Sequence, residues 1–254
     1  MKILLSPAKS LNYSDTLPSK KFTVPQLIQQ SKKVNKALRD LSVKDLQELM
    51  HISENLANLN VERNHVRSYH LDKISEQARQ AIYAFNGDVY EGINAYSLST
   101  KSINYLQKNL RILSGLYGYL KPLDLIEPYR LEMGTKLPVE NGKNLYEFWK
   151  NTVTQSLLDE LTTKEVIVNL ASNEYFKVID TKAIPNKIIT PDFKDFKNGK
   201  LKTISFFAKK ARGQMTRFMA ENNINKAEDM KQFNEGGYQY DEQLSTKNKW
   251  VFTR

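Results

Sequence analysis

Lys209, Lys210 and Arg212, followed at once by Gly213, are the densest set of chemistry-bearing residues in the sequence. They lie in Ile204–Phe218, where an apolar segment runs into a stretch with helical spacing. Phe207, Ala211, Met215 and Phe218 recur at near-helical intervals and predict a buried stripe. Lys209 and Arg212 then share one outer face, with Lys210 and Arg217 on the neighbouring one. A helix start offers free N–H groups to an anion. Gly213 inside a helix costs about 1 kcal/mol relative to Ala, which makes sense where a phosphate or another backbone must come close. This is a pattern for holding anions.

The charge is local. Lys182 to Arg217 contains ten Lys or Arg against two Asp, Asp192 and Asp195, and so carries most of the chain's net charge of +10. Concentrated positive charge is the footprint of a polyanion, nucleic acid being the commonest. A solvated lysine face has the same composition, but the apolar stripe accounts for only half of this pattern. Lys194, Lys197, Lys200 and Lys202 surround Asn198-Gly199, a two-residue hairpin signal, and add a second positive wall.

Other segments offer further candidates. Ser6 and Lys9 follow the first apolar run, and Asn173, Glu174 and Tyr175 follow the Val166–Leu170 run; strand exits are where α/β proteins place ligands. Tyr129, Arg130 and Glu132 occupy a proline-bounded loop. Arg130 can bind phosphate or pair with Glu127 or Glu132, and Asp124, Glu127 and Glu132 also read as acid/base carboxylates. The stretch Leu113-Ser114-Gly115-Leu116-Tyr117-Gly118 resembles the glycine turn of helix-hairpin-helix DNA-binding motifs. Tyr117 is one residue more than that motif carries, and a glycine turn joining two packed elements is the preferred reading of this stretch taken alone. His65 and His70 are five apart, not on one helical face, and with His51 isolated and no Cys, no metal site is expected. There is no GxGxxG and no GxxxxGK[ST], hence no expected cofactor.

These residues need elements to position them. At 254 residues, 40% hydrophobic and 26% charged, the chain can bury a sizeable core, and it is read as one domain over 1–254. Strands are expected at Lys2–Leu5, Glu165–Leu170, Lys187–Phe196, Leu201–Phe207 and Lys249–Thr253. Helices are expected from Pro25 to Leu41, from Ser42 through Leu56, at Ser75–Ala84 and Ser99–Leu110, and over Asn144–Leu161. The interspersed order gives α/β or α+β: a mixed sheet with surrounding helices, too irregular for a doubly wound sheet. The apolar run at the start is too short for a signal peptide or a membrane span, so a cytoplasmic protein without a membrane partner is expected.

Taken together, the segments resemble the peroxide stress resistance proteins called YaaA, over essentially the full length. The resemblance rests on Ile3–Lys9, Phe85–Tyr90, Leu113–Gly118, Pro128–Gly134, Asn169–Ser172 and Ile204–Gly213. It implies a bacterial cytoplasmic protein of the hydrogen peroxide response that limits iron-dependent damage. It also implies an unusual α/β fold with a positively charged cleft and a helix-hairpin-helix-like element able to bind DNA. Carried over by position, the DNA-binding or anion-binding residues fall on Lys9, Gly115, Gly118, Arg130, Lys209, Lys210 and Arg212; the reading of the residues adds Tyr117 and Gly213 to that set, with Ser6, Tyr129, Glu132, Asn173 and Glu174 as candidate cleft lining. The resemblance names no reaction. A DNA-binding protein of low sequence preference is expected; the alternative is an enzyme acting on a nucleotide or other phosphorylated small molecule in the same cleft.

Overall fold

The computed structural model describes residues 1–254. Its frame is an eight-stranded sheet. The first strand, β1 (Lys2–Leu5), is buried at all four positions, as expected of a strand covered on both faces. A short β2 (Ser10–Leu11) leads to helices α1 (Ile28–Arg39), α2 (Val43–Met50) and α3 (Glu54–Val66). The chain continues through β3 (Arg79–Gln80), α4 (Ala81–Ala84), β4 (Phe85–Asn86), α5 (Asp88–Ile93) and α6 (Thr100–Asn109). Then come β5 (Leu110–Ser114), β6 (Gly118–Leu120), β7 (Leu125–Ile126), α7 (Leu145–Leu158), β8 (Ile167–Asn169) and α8 (Asn173–Phe176). The last elements are β9 (Ile188–Lys197), β10 (Lys200–Lys202), α9 (Ser205–Glu221), β11 (Gln239–Asp241) and β12 (Lys249–Thr253).

The main path of the sheet runs β11-β12-β9-β8-β1-β5-β6, with β10 folded back on β9. The five central strands from β12 to β5 are parallel, and β6, β10 and β11 are antiparallel additions. Ile3 pairs with Leu110 on one side and Val168 on the other, so β1 sits in the middle. The architecture is the mixed α/β sheet with surrounding helices that the sequence predicts.

Local signals place several elements. Ser99 caps α6 through Ser102 N–H at 3.1 Å, and Asn144 caps α7 through Glu147 N–H at 3.0 Å. Ser42 and Asp45 form a reciprocal capping box on α2. Asn198 and Gly199 both adopt positive φ, 53° and 73°, which turns β9 into β10 as the hairpin signal predicts.

Four expectations need correction. The helix expected from Ser42 through Leu56 is two helices, because His51 adopts a left-handed conformation and Ser53 caps a fresh start. Ser75–Ala84 is helical only over its last four residues. Arg79 there is buried and donates to the carbonyl oxygens of Asn12, Tyr13 and Asp15, while Gln80 donates to those of Ser19 and Lys21. Those bonds, with the β3–β7 pairing, hold the segment extended. The strand expected over Leu201–Phe207 ends at Lys202, and α9 begins at Ser205. Within α9 the buried face is Ala208, Ala211, Met215, Thr216 and Met219; Phe207 lies on the exposed side.

Candidate functional site

The parallel strands direct their carboxyl ends toward one cleft, the position where open α/β sheets place ligands. Its volume is about 610 Å³. The loop after β1 brings Ser6 and Lys9, and the turn after β8 brings Ser172, Asn173 and Glu174. Asn86, Gly87 and Asp88 come from the start of α5, Glu132 from the proline-bounded loop, and Thr203, Ser205, Lys209 and Arg212 from α9 and its approach. The two strand exits are tied directly: the Ser6 hydroxyl donates to Ser172 Oγ at 3.3 Å and accepts from Ser172 N–H at 2.9 Å.

Charge in the cleft is of both signs. Lys9, Lys209 and Arg212 face Asp88, Glu132 and Glu174. Glu132 is partly engaged, with Lys9 Nζ at 2.9 Å and Arg130 Nη2 at 3.8 Å from the same oxygen. Arg130 stands behind Glu132, and its Nε is buried without a hydrogen-bond partner. Glu174 accepts from Gly134 N–H at 3.0 Å. Arg212 is different: its half-buried guanidinium has neither a hydrogen bond nor an ion pair. Burial pulls its pKa below the ordinary arginine value, while the charge of Asp192 acts in the opposite sense. Asp192 is itself held by Lys249 at 2.9 Å and by the Thr203 hydroxyl at 3.3 Å. No side chain caps the first turn of α9 and no acidic residue lies in it, so its N–H groups stay open to an anion.

The structure therefore brings Ser6, Lys9, Glu132, Asn173, Glu174, Lys209 and Arg212 together. It does not bring in the rest. Lys210 is exposed outside the cleft. Gly213 is buried at a crossing with α5, where an added Cβ would stand 1.9 Å from Val89 O; its role is helix packing, and no phosphate can reach it. Tyr129 is buried, its hydroxyl 2.7 Å from Ser114 Oγ.

The glycine turn is likewise not a helix-hairpin-helix. It joins β5 to β6, and its residues are fully buried. A Cβ on Gly115 would meet Leu131 O at 2.4 Å, and one on Gly118 (φ +69°) would meet the Trp149 ring at 2.6 Å. Tyr117 packs edge-on to Tyr129 and its hydroxyl accepts from Glu127 N–H at 3.0 Å. Backbone so enclosed has no access to nucleic acid, and these three residues are structural. Glu127 and Asp124 are structural too. Glu127 accepts from Ser68 and Tyr69 N–H at 2.9 and 3.1 Å, and Asp124 accepts from Thr23 Oγ1 at 2.6 Å and Lys121 N–H at 2.7 Å.

Sequence reasoning missed Asp88, Ser172, Thr203 and Ser205 as lining residues. Asp88 and Ser172 lie in the segments Phe85–Tyr90 and Asn169–Ser172, so an available signal pointed to both.

A second feature shares Lys209 with the cleft and otherwise lies outside it. Lys197, Lys200 and Lys202 of the hairpin and Lys209 and Lys210 of α9 are exposed, and none has a carboxylate partner. The two Asp of this region are engaged elsewhere, Asp192 as above and Asp195 with Arg254 and Tyr238. Phe196, Phe206 and Phe207 are exposed among these lysines. No helix of the chain is long and apolar enough to cross a membrane.

Comparison with known proteins gives a consistent answer. The family model described as peroxide stress protein YaaA matches residues 1–244. A UPF0246 protein of Flavobacterium psychrophilum is 54% identical over 254 residues, covering all of both chains. A UPF0246 protein of Flavobacterium johnsoniae is 53% identical, again covering all of both. One from Neisseria gonorrhoeae is 50% identical over all of this chain and 98% of its own. On the family model and these full-length identities, the chain belongs to the peroxide stress protein YaaA family.

Proposed function

We propose that this protein acts in the peroxide response by binding DNA with little sequence preference, through the lysine hairpin β9–β10 and the first turns of α9. One observation carries the reading: Lys197, Lys200, Lys202, Lys209 and Lys210 form an exposed cationic stretch with no carboxylate partner, and exposed phenylalanines interrupt it. Surface lysines released from ion pairs contribute through counterion release when they meet phosphates. Exposed aromatic rings offer stacking faces to unpaired bases, at about 1–3 kcal/mol per base. The buried Gly115–Gly118 turn has no part in this contact. Binding to DNA near the sites of peroxide chemistry limits oxidative and iron-dependent damage to it.

The test is a gel-shift titration across a salt series with the triple variant Lys197→Ala/Lys200→Ala/Lys202→Ala. Each phosphate contact contributes about 0.9 to the slope of log affinity against log salt. The variant should therefore lose roughly two to three units of slope, equally for unrelated sequences. An unchanged slope and affinity would remove the hairpin from the interface and the reading with it.

A further inference from the structure

We propose that the cleft at the ends of β1 and β8 binds a phosphomonoester carried on a hydroxyl-bearing sugar. Arg212 and Lys209 take the phosphate, and Asp88, Glu132 and Glu174 take the hydroxyls. The site shares Lys209 with the α9 part of the proposed DNA contact but does not depend on the hairpin lysines Lys197, Lys200 and Lys202.

Arg212 is the starting point. Its partly buried side chain makes no hydrogen bond or ion pair within the chain, and its guanidinium nitrogens are not sealed from solvent, so its donors are open to a ligand in the cleft. Its five donors form a fork that matches phosphate oxygens two at a time. Lys209, one turn earlier on the same face of α9, also lines the cleft and also lacks a partner. The uncapped first turn of the same helix, with Ser205 in the lining, adds N–H donors to this wall.

The opposite wall decides what the phosphate is attached to. Asp88, Glu132 and Glu174 share the lining with Lys9, Lys209 and Arg212, so a second phosphate running through the cleft would meet carboxylates. A single terminal phosphate fits this mixed lining better than a polyanion. Each carboxylate retains acceptor lone pairs beyond its present contacts, and hydroxyl groups are the donors that satisfy them. The volume of about 610 Å³ exceeds what a lone phosphate fills and lies within the usual range for small-molecule sites. Tyr175, buried, is the single aromatic residue in the lining, so nothing there stacks on a base. The sugar is thus the recognised part.

Two sources supply this chemistry: a free sugar phosphate, or the 5′-phosphorylated end of a nucleic acid strand. Thr203 and Ser205 line the cleft directly after Lys202, so the site opens beside the lysine hairpin and a strand end is within reach.

Calorimetric titration with ribose 5-phosphate, ribose and inorganic phosphate tests the proposal, together with competition by 5′-phosphorylated and 5′-hydroxyl oligonucleotides. Ribose 5-phosphate should bind at least about tenfold more tightly than either fragment, as losing a charged hydrogen bond costs on that order. Arg212→Gln should weaken it about tenfold or more, and the exposed-residue variant Lys209→Ala should weaken it without affecting folding. The hairpin triple variant should leave it unchanged, which separates this site from the DNA reading. Displacement of ribose 5-phosphate by the phosphorylated oligonucleotide but not the hydroxyl one assigns the strand end; displacement by neither assigns the free sugar phosphate. No binding of ribose 5-phosphate or of either oligonucleotide in the cleft, equal binding by Lys209→Ala and wild type, or phosphate alone binding as well as ribose 5-phosphate would overturn the proposal.

Discussion

Replacing Gly213 by Ala sets two physical effects against each other with opposite signs. Intrinsic helix propensity favours Ala by about 1 kcal/mol, and nothing in the sequence of α9 opposes that gain. The tertiary structure does. The new Cβ would lie 1.9 Å from Val89 O and 2.9 Å from the Cα of Gly92, both backbone atoms that cannot rotate away. Ordinary contact begins near 3.4 Å, so α5 and α9 must separate by well over 1 Å, and the reciprocal contact of Gly92 with Lys210 O opens with it. Overpacking of this kind costs about 1–3 kcal/mol where side chains can adjust, and this site, walled by backbone, belongs at or above the upper end. The net expectation is a loss of about 2 kcal/mol or more, which for a chain of this size lowers Tm by roughly 4–8 °C. Thermal unfolding followed by circular dichroism reads it. The two helices also carry opposite walls of the cleft, Asn86 to Val89 on one side and Lys209 with Arg212 on the other, so ligand affinity should fall along with Tm. A Gly213→Ala protein as stable as wild type, or more so, would refute the close helix crossing and restore an open glycine face.

Other perturbations give separate checks. Gly118→Ala places a side chain at φ +69° against the Trp149 ring, so Tm should fall while DNA affinity of the folded protein stays at the wild-type value; a selective loss of DNA binding would return the turn to the interface. Ser42→Ala removes half of the capping box and should cost about 1 kcal/mol in denaturant unfolding. Burial alone would raise the pKa of Glu160, but the hydrogen bond and charge of Arg111, with Lys2 and Lys121, outweigh it and hold the carboxyl below its ordinary 4.5. The resulting stability is full above that value and is lost as pH falls through the lower folded pKa. Glu160→Gln should therefore be destabilised at neutral pH and show a shallower decline in acid; parallel pH profiles would contradict it. Asp124, raised by burial against hydrogen bonds from Thr23 and Lys121, acts in the opposite sense, so the difference between the two proteins isolates Glu160.

The elements most legible in the sequence are those announced by a single local signal. Ser99, Ser42 and Asn144 stop the chain in a geometry their own side chains dictate, and Asn198-Gly199 has one turn it makes well. Lys2–Leu5 and Ile167–Asn169 stand out because strands covered on both faces must be apolar throughout. Glycine was the least transparent residue. Gly115, Gly118 and Gly213 each admit either a phosphate or the chain's own packing, and each is pressed against the chain's own atoms, because sequence does not reveal which neighbour arrives. The cleft was legible in its parts: Ser6, Lys9, Asn173 and Lys209 were found from their positions at strand exits and on α9. The link that joins them was not, because Ser6 and Ser172 are 166 residues apart and nothing local records that they meet. Phe207 is a similar case: its spacing fits a buried stripe, yet the buried face of α9 runs through Ala208, Ala211 and Met215 and leaves Phe207 exposed.

The central place of β1 bears on how the molecule is made. Its partners on either side start at Leu110 and Ile167, so the earliest-made strand of the sheet waits through more than 100 further residues before its first neighbour exists and for well over half of the chain before both do. At about 5–20 residues per second that delay is on the order of ten seconds or more, during which Ile3, Leu4 and Leu5 are uncovered. Slow, late-closing assembly follows from this topology, and refolding yield should be most sensitive to apolar-to-polar changes in those three residues and to chaperones that shield nascent chains.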